Sequence, residues 1–395
     1  MFMKKARCSN VSRSGHSVRA LRAARRDLLV VSGLLSLLGA CASDGAGVDV
    51  QLRDPAICEG SVTVLDEFVF SGQPLGEREP APRNLKPYDG QLYYIRQEGQ
   101  FAQDGIATIS EDGGEPIILV KALPMDLWPE PDGLYYAELG SELVMRGVRL
   151  MVAPLEGGPG KLVGQSSVIA NSFDHALDAS HLYWSDLHMD GPHEIWRMPR
   201  TGGEPELVAT LDRFVPTRLT PLSEDLLVEG TTIDAPLLVA KQGGEVRQIE
   251  EPAAGDPDPL AGSQLGVLWL TAEDTPGKRH PWRSQLWTTP LDGGEPRRIA
   301  SALPANLEPF LAAPNGDQGF IVAATERFDD DQNRISFWSV SLDDDADPEP
   351  LACIREPMGS VPATHMVASE TAAFVLLDYV YEESWQLVRI DQAPR

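Results

Sequence analysis

His175, His181, His188 and His193 fall within nineteen residues and are four of the six histidines that follow residue 40. Imidazoles at that density could ligate zinc or copper through their ring nitrogens. No pair, however, has the short fixed spacing of a zinc motif, and successive strand residues point to opposite faces. The four are therefore expected to serve separate purposes. A second cluster is acidic: in "LDDDADPE" (342–349), Asp343, Asp345 and Asp347 alternate, a spacing at which carboxylate oxygens can wrap calcium. No glycine follows where such a loop must turn, so the segment reads equally as a solvated turn, and calcium is the one cofactor it leaves open. "LEGGPGKLV" (155–163) carries a Gly-Lys pair but lacks the earlier glycine, the following Ser/Thr and the helix of a phosphate loop. Neither Gly-x-Ser-x-Gly nor His-Glu-x-x-His occurs. A catalytic site, if there is one, must be assembled from residues distant in sequence.

A repeated scaffold carries these residues. Double glycines begin at Gly113, Gly157, Gly202, Gly243 and Gly293, separated by 44, 45, 41 and 50 residues. Such a period marks a repeat architecture. Each pair lies between two strand-like runs, as in "GIATISEDGG" before "PIILVKA" and "QLWTTPLDGG" before "PRRIASA". Glycine takes positive φ without steric cost, so Gly-Gly closes a tight hairpin, and the proline of "GGEP" stands where a new strand needs no ladder donor. Seven further β-rich runs follow the same period: "QLYYIRQ" (91–97), "LYYAELG" (134–140), "HLYWSDL" (181–187), "DLLVEGT" (225–231), "VLWLTAED" (267–274), "GFIVAATE" (319–326) and "AAFVLLDYV" (372–380). Each follows a less regular segment suited to an innermost strand.

Four strands per period and seven copies predict an all-β chain, a seven-bladed β-propeller of four-stranded antiparallel blades, or six blades if one repeat is miscounted. The seventh copy stops after its third strand, "WQLVRID" (385–391), and "SVTVLDEFVF" (61–70) is a spare strand-like segment. The N-terminal strand is thus expected to close the last blade, with a loose arm as the alternative. Trp184, Trp196, Trp269, Trp287, Trp338 and Trp385 recur on second and third strands and are expected to fill the space between blades.

The first forty residues differ in kind. Eight lysines and arginines precede the apolar run "LLVVSGLLSLLGA" and then Cys41. That run suits a signal peptide and is too short to span a bilayer as a helix. "LGAC" (38–41) resembles the bacterial lipobox, which implies cleavage before Cys41, lipidation of that cysteine and a bilayer partner through the acyl anchor. Three regions are expected: 1–40 a lipoprotein signal peptide, 41–60 a lipidated tether, and 61–395 the propeller. Ala42 after the cysteine leans towards the outer membrane, facing away from the cytoplasm. Removing residues 1–40 takes eight of the 33 basic residues and one of the 59 acidic ones, leaving a net charge of −33. Such a surface repels phosphate backbones, so nucleic acid is excluded as a partner. Cys58 and Cys353 then remain as a single possible disulfide in an oxidising compartment.

"LYWSD" in the third repeat resembles the Tyr-Trp-Thr-Asp repeats of receptor propellers, and "LYY" and "LWL" occupy the same place in repeats one, two and five. With the lipobox, the chain is similar to bacterial propeller lipoproteins, including relatives of the Tol-system propeller. That resemblance implies fold and no activity. In such a ring the short glycine hairpins share one face, and long, varied loops such as "HMDGPH" and "AEDTPGKRHPWRS" share the other with the starts of the inner strands. Variable loops on a rigid scaffold usually carry recognition. Asn84, Asp126, Asp174, His175, Arg218, Glu308 and His365 are accordingly the expected ligand-binding residues at the channel mouth. The sequence therefore points to a tethered scaffold for an envelope or extracellular protein, a peptide or a glycan. A lyase or hydrolase using His175, His365 and nearby carboxylates is the alternative, as is a purely structural envelope component.

Overall fold

A computed structural model of the chain describes residues 62–69, 83–96, 105–139, 147–169, 174–188, 191–230, 235–254, 257–274, 282–299, 307–316, 319–327, 333–342, 347–355, 363–379 and 384–392. Among them lie seven four-stranded antiparallel sheets, each built from consecutive segments except the last. Their inner strands are Arg83–Tyr88, Pro124–Glu130, His175–Leu177, Pro216–Pro221, Asp258–Ser263, Leu307–Asn315 and Ala363–Ala368, for blades one to seven. Inner strands of successive blades adjoin one another, save that the inner strand of blade five is met by the second strand of blade four, Asp225–Gly230; that of blade seven adjoins that of blade one, so the ring is closed.

The second strands explain why so many runs read as continuously apolar. In blade one, Leu92, Tyr93, Tyr94 and Ile95 are all buried, because each face of a blade is covered by a neighbouring blade. A strand buried on both faces loses the in–out alternation of a half-exposed sheet. The core is accordingly divided: seven apolar clusters each join the facing sides of two adjacent blades. Trp184 and Trp269 are fully buried in them, and Trp196, Trp287, Trp338 and Trp385 pack against them half-buried.

Blade seven takes its outer strand from the other end of the chain. Val62–Val69 pairs antiparallel with Ser384–Asp391, from Val62 opposite Ile390 to Val69 opposite Ser384. Leu65 is buried between blades seven and one, and the Tyr94 hydroxyl of blade one donates to Asp66 Oδ2 at 2.8 Å. Arg389 adds a second tie, donating to the Glu111 carbonyl at 2.8 Å and to Asp112 Oδ1 at 2.6 Å.

The double glycines close the hairpins between third and fourth strands, with φ of +91° at Gly113, +98° at Gly157, +86° at Gly202 and +90° at Gly243. They have a second purpose. A Cβ on Gly202 would lie 2.4 Å from the Val163 carbonyl oxygen of the preceding blade, and one on Gly157 would lie 3.0 Å from that of Leu119. The hairpin therefore also needs glycine to seat one blade against the next.

Cys353 lies buried on the outer strand of blade six, Glu349–Arg355, and is disulfide-bonded. Cys58, Cys41 and the whole of residues 1–60 lie outside the described residues.

Candidate functional site

Each inner strand starts on the loop-rich face, and six of the seven carry a β-bulge in their first residues, where two residues oppose one on the second strand. A bulge bends the strand and re-aims the side chain that follows it. The residues resuming the register are Lys86, Asp126, Arg218, Ala261, Leu311 and His365 in blades one, two, four, five, six and seven. Blade three begins at this level with Asp174 and His175, the latter opposite Trp184. The ring is thus polar on blades one to four and seven, and apolar at this position on blades five and six.

Several of these side chains also tie blades together in order. Asn84, held at φ +56°, donates through Nδ2 to the Met125 carbonyl of blade two at 2.7 Å. Asp126 accepts from its neighbour Leu127 N at 2.9 Å and, across to blade three, from His175 N at 3.4 Å. Asp174 in turn accepts from the Leu219 amide of blade four. Arg218 stays within its own blade, with Nε 3.5 Å from Glu229 Oε2.

Burial sets the protonation of the group. It raises the Asp126 carboxyl, against the pull of Lys86 and the two backbone amides. Burial also raises Asp174, and the nearby negative charge of Asp126 pushes it further, opposed by the Leu219 amide, Arg218 and Lys86. Asp174 therefore keeps its proton into the neutral range. His175 is lowered to about 4 by burial alone, and His365 to about 3 by burial and then by Arg218 and Lys86. Both imidazoles are therefore neutral at physiological pH, each with one donor and one acceptor.

His175 is the anomaly. It is 3% exposed, and among the described residues neither of its ring nitrogens has a hydrogen-bond partner. A buried polar atom left unpaired costs about 1–3 kcal/mol, which a folded chain tolerates where something else uses it. The surroundings offer a ligand an acceptor–donor imidazole, a carboxyl that keeps its proton, a carboxylate and two cations.

Of the expected ligand-binding residues, the structure thus brings Asp126, Asp174, His175, Arg218 and His365 into one electrostatic group. Asn84 is committed to bridging blades one and two, and Glu308 lies half-buried at the start of the blade six strand. Lys86 belongs to the group and was not anticipated. Its signal was the position itself: Pro124, Pro216, Pro259 and Pro309 each stand two residues before the residue that resumes the register. In blade one the left-handed Asn84 precedes Lys86 at the same spacing. Of the calcium candidates, Asp347 is exposed just before the outer strand of blade six, and Asp343 and Asp345 lie outside the described residues.

No family model matches the chain, and neither does any curated protein. Among solved structures, it is similar to the β-propeller domain of the Trilobed protease from Pyrococcus furiosus, at 11% identity and TM-score 0.51, over 80% of this chain and 97% of that one. That domain is described as having an open velcro topology, whereas here the first and last strands pair. Similarity extends to a prolyl endopeptidase, at 12% identity and TM-score 0.48 over 80% of this chain, which spans only 51% of that enzyme's length. A TolB candidate from Agrobacterium tumefaciens matches at 15% identity and TM-score 0.38, over 71% of this chain and 95% of that one. At 11% identity the likeness to the Trilobed protease domain shows the β-propeller fold and nothing about activity.

Proposed function

We propose that the protein is a recognition module whose ligand, a segment of protein, peptide or glycan, enters the channel mouth from the loop-rich face. The observation that carries this reading is His175, buried with both ring nitrogens unpaired, on the same ring of strand starts as two carboxyls whose proton affinity burial raises. A ligand with adjacent hydrogen-bond donors and acceptors would satisfy the imidazole and bridge to Asp174 on one side and to Arg218 or Lys86 on the other. The acidic surface and the lipobox-like "LGAC" support a module tethered by acyl chains on Cys41 to the outer membrane, with residues 41–60 as the spacer.

The test is a screen of the tag-free processed chain against peptide and glycan arrays, followed by calorimetry on the strongest binder. Asp174→Asn and His175→Gln should each weaken that binder at least tenfold. Unchanged affinity in both variants would refute the channel-mouth site. Mass spectrometry of membrane-bound protein should find acyl chains on Cys41, and Cys41→Ser should release the chain.

One observation favours a second reading. Asp126 and Asp174 are carboxyls of unequal proton affinity, the arrangement of a general acid and a general base. In a lyase or hydrolase built on them, His175 and His365 would orient the substrate. Turnover of an array ligand that is lost in Asp126→Asn, with binding retained, would favour this reading over the scaffold.

A further inference from the structure

A different constellation sits on the same face, at the ends of the two middle strands of blade three. Its second strand, His181–Asp186, ends at Asp186, and its third, His193–Pro199, begins at His193 and Glu194. In the ladder Asp186 lies directly opposite Glu194. Like charges in a direct cross-strand pair destabilise a sheet unless a cation lies between them. His188, on the connecting loop, reaches into that gap. Its Nε2 is 3.7 Å from Asp186 Oδ2 and 3.4 Å from Glu194 Oε2, and the three ligand atoms all lie within 4.8 Å of one another.

The surroundings hold these groups in place. The Trp196 indole N–H donates to Glu194 Oε2 at 3.0 Å, which fixes the carboxylate's direction. The backbone N–H of His188 donates to His193 Nδ1 at 3.2 Å, which pins the loop and leaves that nitrogen unable to serve as a ligand. Asp186 is buried, while His188 is 42% exposed, so the cluster has a protein wall on one side and an open approach on the other. Supporting partners of this kind are what orient metal ligands.

We infer that Asp186, His188 and Glu194 form a zinc site with three protein ligands and an open coordination position. Two carboxylates balance the charge of a divalent ion, and the neutral imidazole Nε2 supplies the nitrogen that favours zinc over calcium or magnesium. Tetrahedral ligands about 2.0–2.1 Å from zinc lie roughly 3.3 Å apart, so the present separations need contract only modestly on binding. The site uses no residue of the channel mouth, and either can fail without the other.

The test is calorimetric titration of the tag-free, chelator-stripped full chain with zinc chloride, with cobalt absorption as a second readout. One equivalent of zinc should bind. Cobalt should give the intense visible bands of a site with four or five ligands. His188→Ala, at a side chain 42% exposed, should abolish stoichiometric uptake, and Glu194→Gln should weaken it at least thirtyfold. Equal uptake by wild type and His188→Ala, or no stoichiometric uptake by wild type, would overturn the assignment.

Discussion

The inner strand of blade three is only three residues long and has an aspartate beside each end, Asp174 at the loop-rich face and Asp178 at the hairpin face. Their surroundings differ completely. Asp178 accepts from Ser180 N, Ser180 Oγ and His181 N on one oxygen, and from the Tyr183 hydroxyl and Lys241 Nζ on the other. Although burial opposes ionisation, the Lys241 bond and these donors hold its carboxyl well below the usual range. Lys241, itself buried, also donates to the Leu222 carbonyl, so blades three and four are locked from that side. Asp174 accepts from the Leu219 amide of the next blade and feels Arg218 and Lys86, but burial and the charge of Asp126 outweigh them and its proton affinity goes up instead. Burial opposes ionisation at both ends; a carboxylate neighbour adds to it at only one. The hairpin face uses its buried charges to hold blades together, and the channel mouth carries charges that cost stability. Such a cost is retained where function needs it.

The contrast can be broken most sharply at Lys241. Lys241→Met leaves Asp178 buried without its cation and should cost about 3–5 kcal/mol, read as a lower urea midpoint. A loss below about 1 kcal/mol would put the two faces on the same footing.

Next in size is a pH effect that separates the two ends of the strand. His175 binds its proton near pH 4 in the folded chain and near 6.5 when unfolded. The unfolded chain therefore takes up the proton first, and stability falls as pH drops from about 6.5 towards 4, by up to about 3 kcal/mol from this group. His175→Gln should flatten that slope in urea titrations at successive pH values. The contribution of Asp178, whose folded carboxyl is depressed, is fully present above about pH 4 and lost only at lower pH. A slope between pH 6.5 and 4 that is unchanged in His175→Gln would show that the channel histidine is not held neutral by burial.

Asp174→Asn should do the reverse of the Lys241 change. The amide oxygen can still accept from Leu219 N, and no charge has to be buried. Because the raised carboxyl favours the protonated form, its stabilising contribution is present at low pH and lost as pH rises. The variant should therefore gain about 1 kcal/mol over wild type at pH 8 and less at pH 5, seen as a higher Tm. Smallest of all is Arg247→Ala. Its ion pairs with Asp225 and Glu245 are largely exposed on the hairpin face, and their loss should change stability by no more than about 0.5 kcal/mol.

Different parts of the molecule could be read from the chain to different depths. The blade count and the strand exchange at the ends followed from the "LYY"-type runs and the diglycines, because tight turns and doubly buried strands impose their residue types locally. Asp126, Asp174, His175, Arg218 and His365 could be placed at the channel mouth by counting back from those runs. Lys86 was missed because its bulge is made by Asn84 rather than by proline. The Asp186–His188–Glu194 cluster was missed for another reason. The histidines of blade three were weighed against each other, whereas the partners of His188 are carboxylates on two strands that only pairing brings together.

Local chemistry settled what repeats. Glycine at positive φ, apolar runs and their period require seven small sheets and leave the last one a strand short, so the ends must meet. Tertiary packing settled what each buried charge became. Asp174 and Asp178 are the same residue type four positions apart, and only the neighbouring blades decide that Asp178 meets Lys241 and Asp174 the carboxyl of Asp126. A sequence fixes which groups ionise in water; the arrangement of surrounding dipoles and charges fixes whether they do so in the fold.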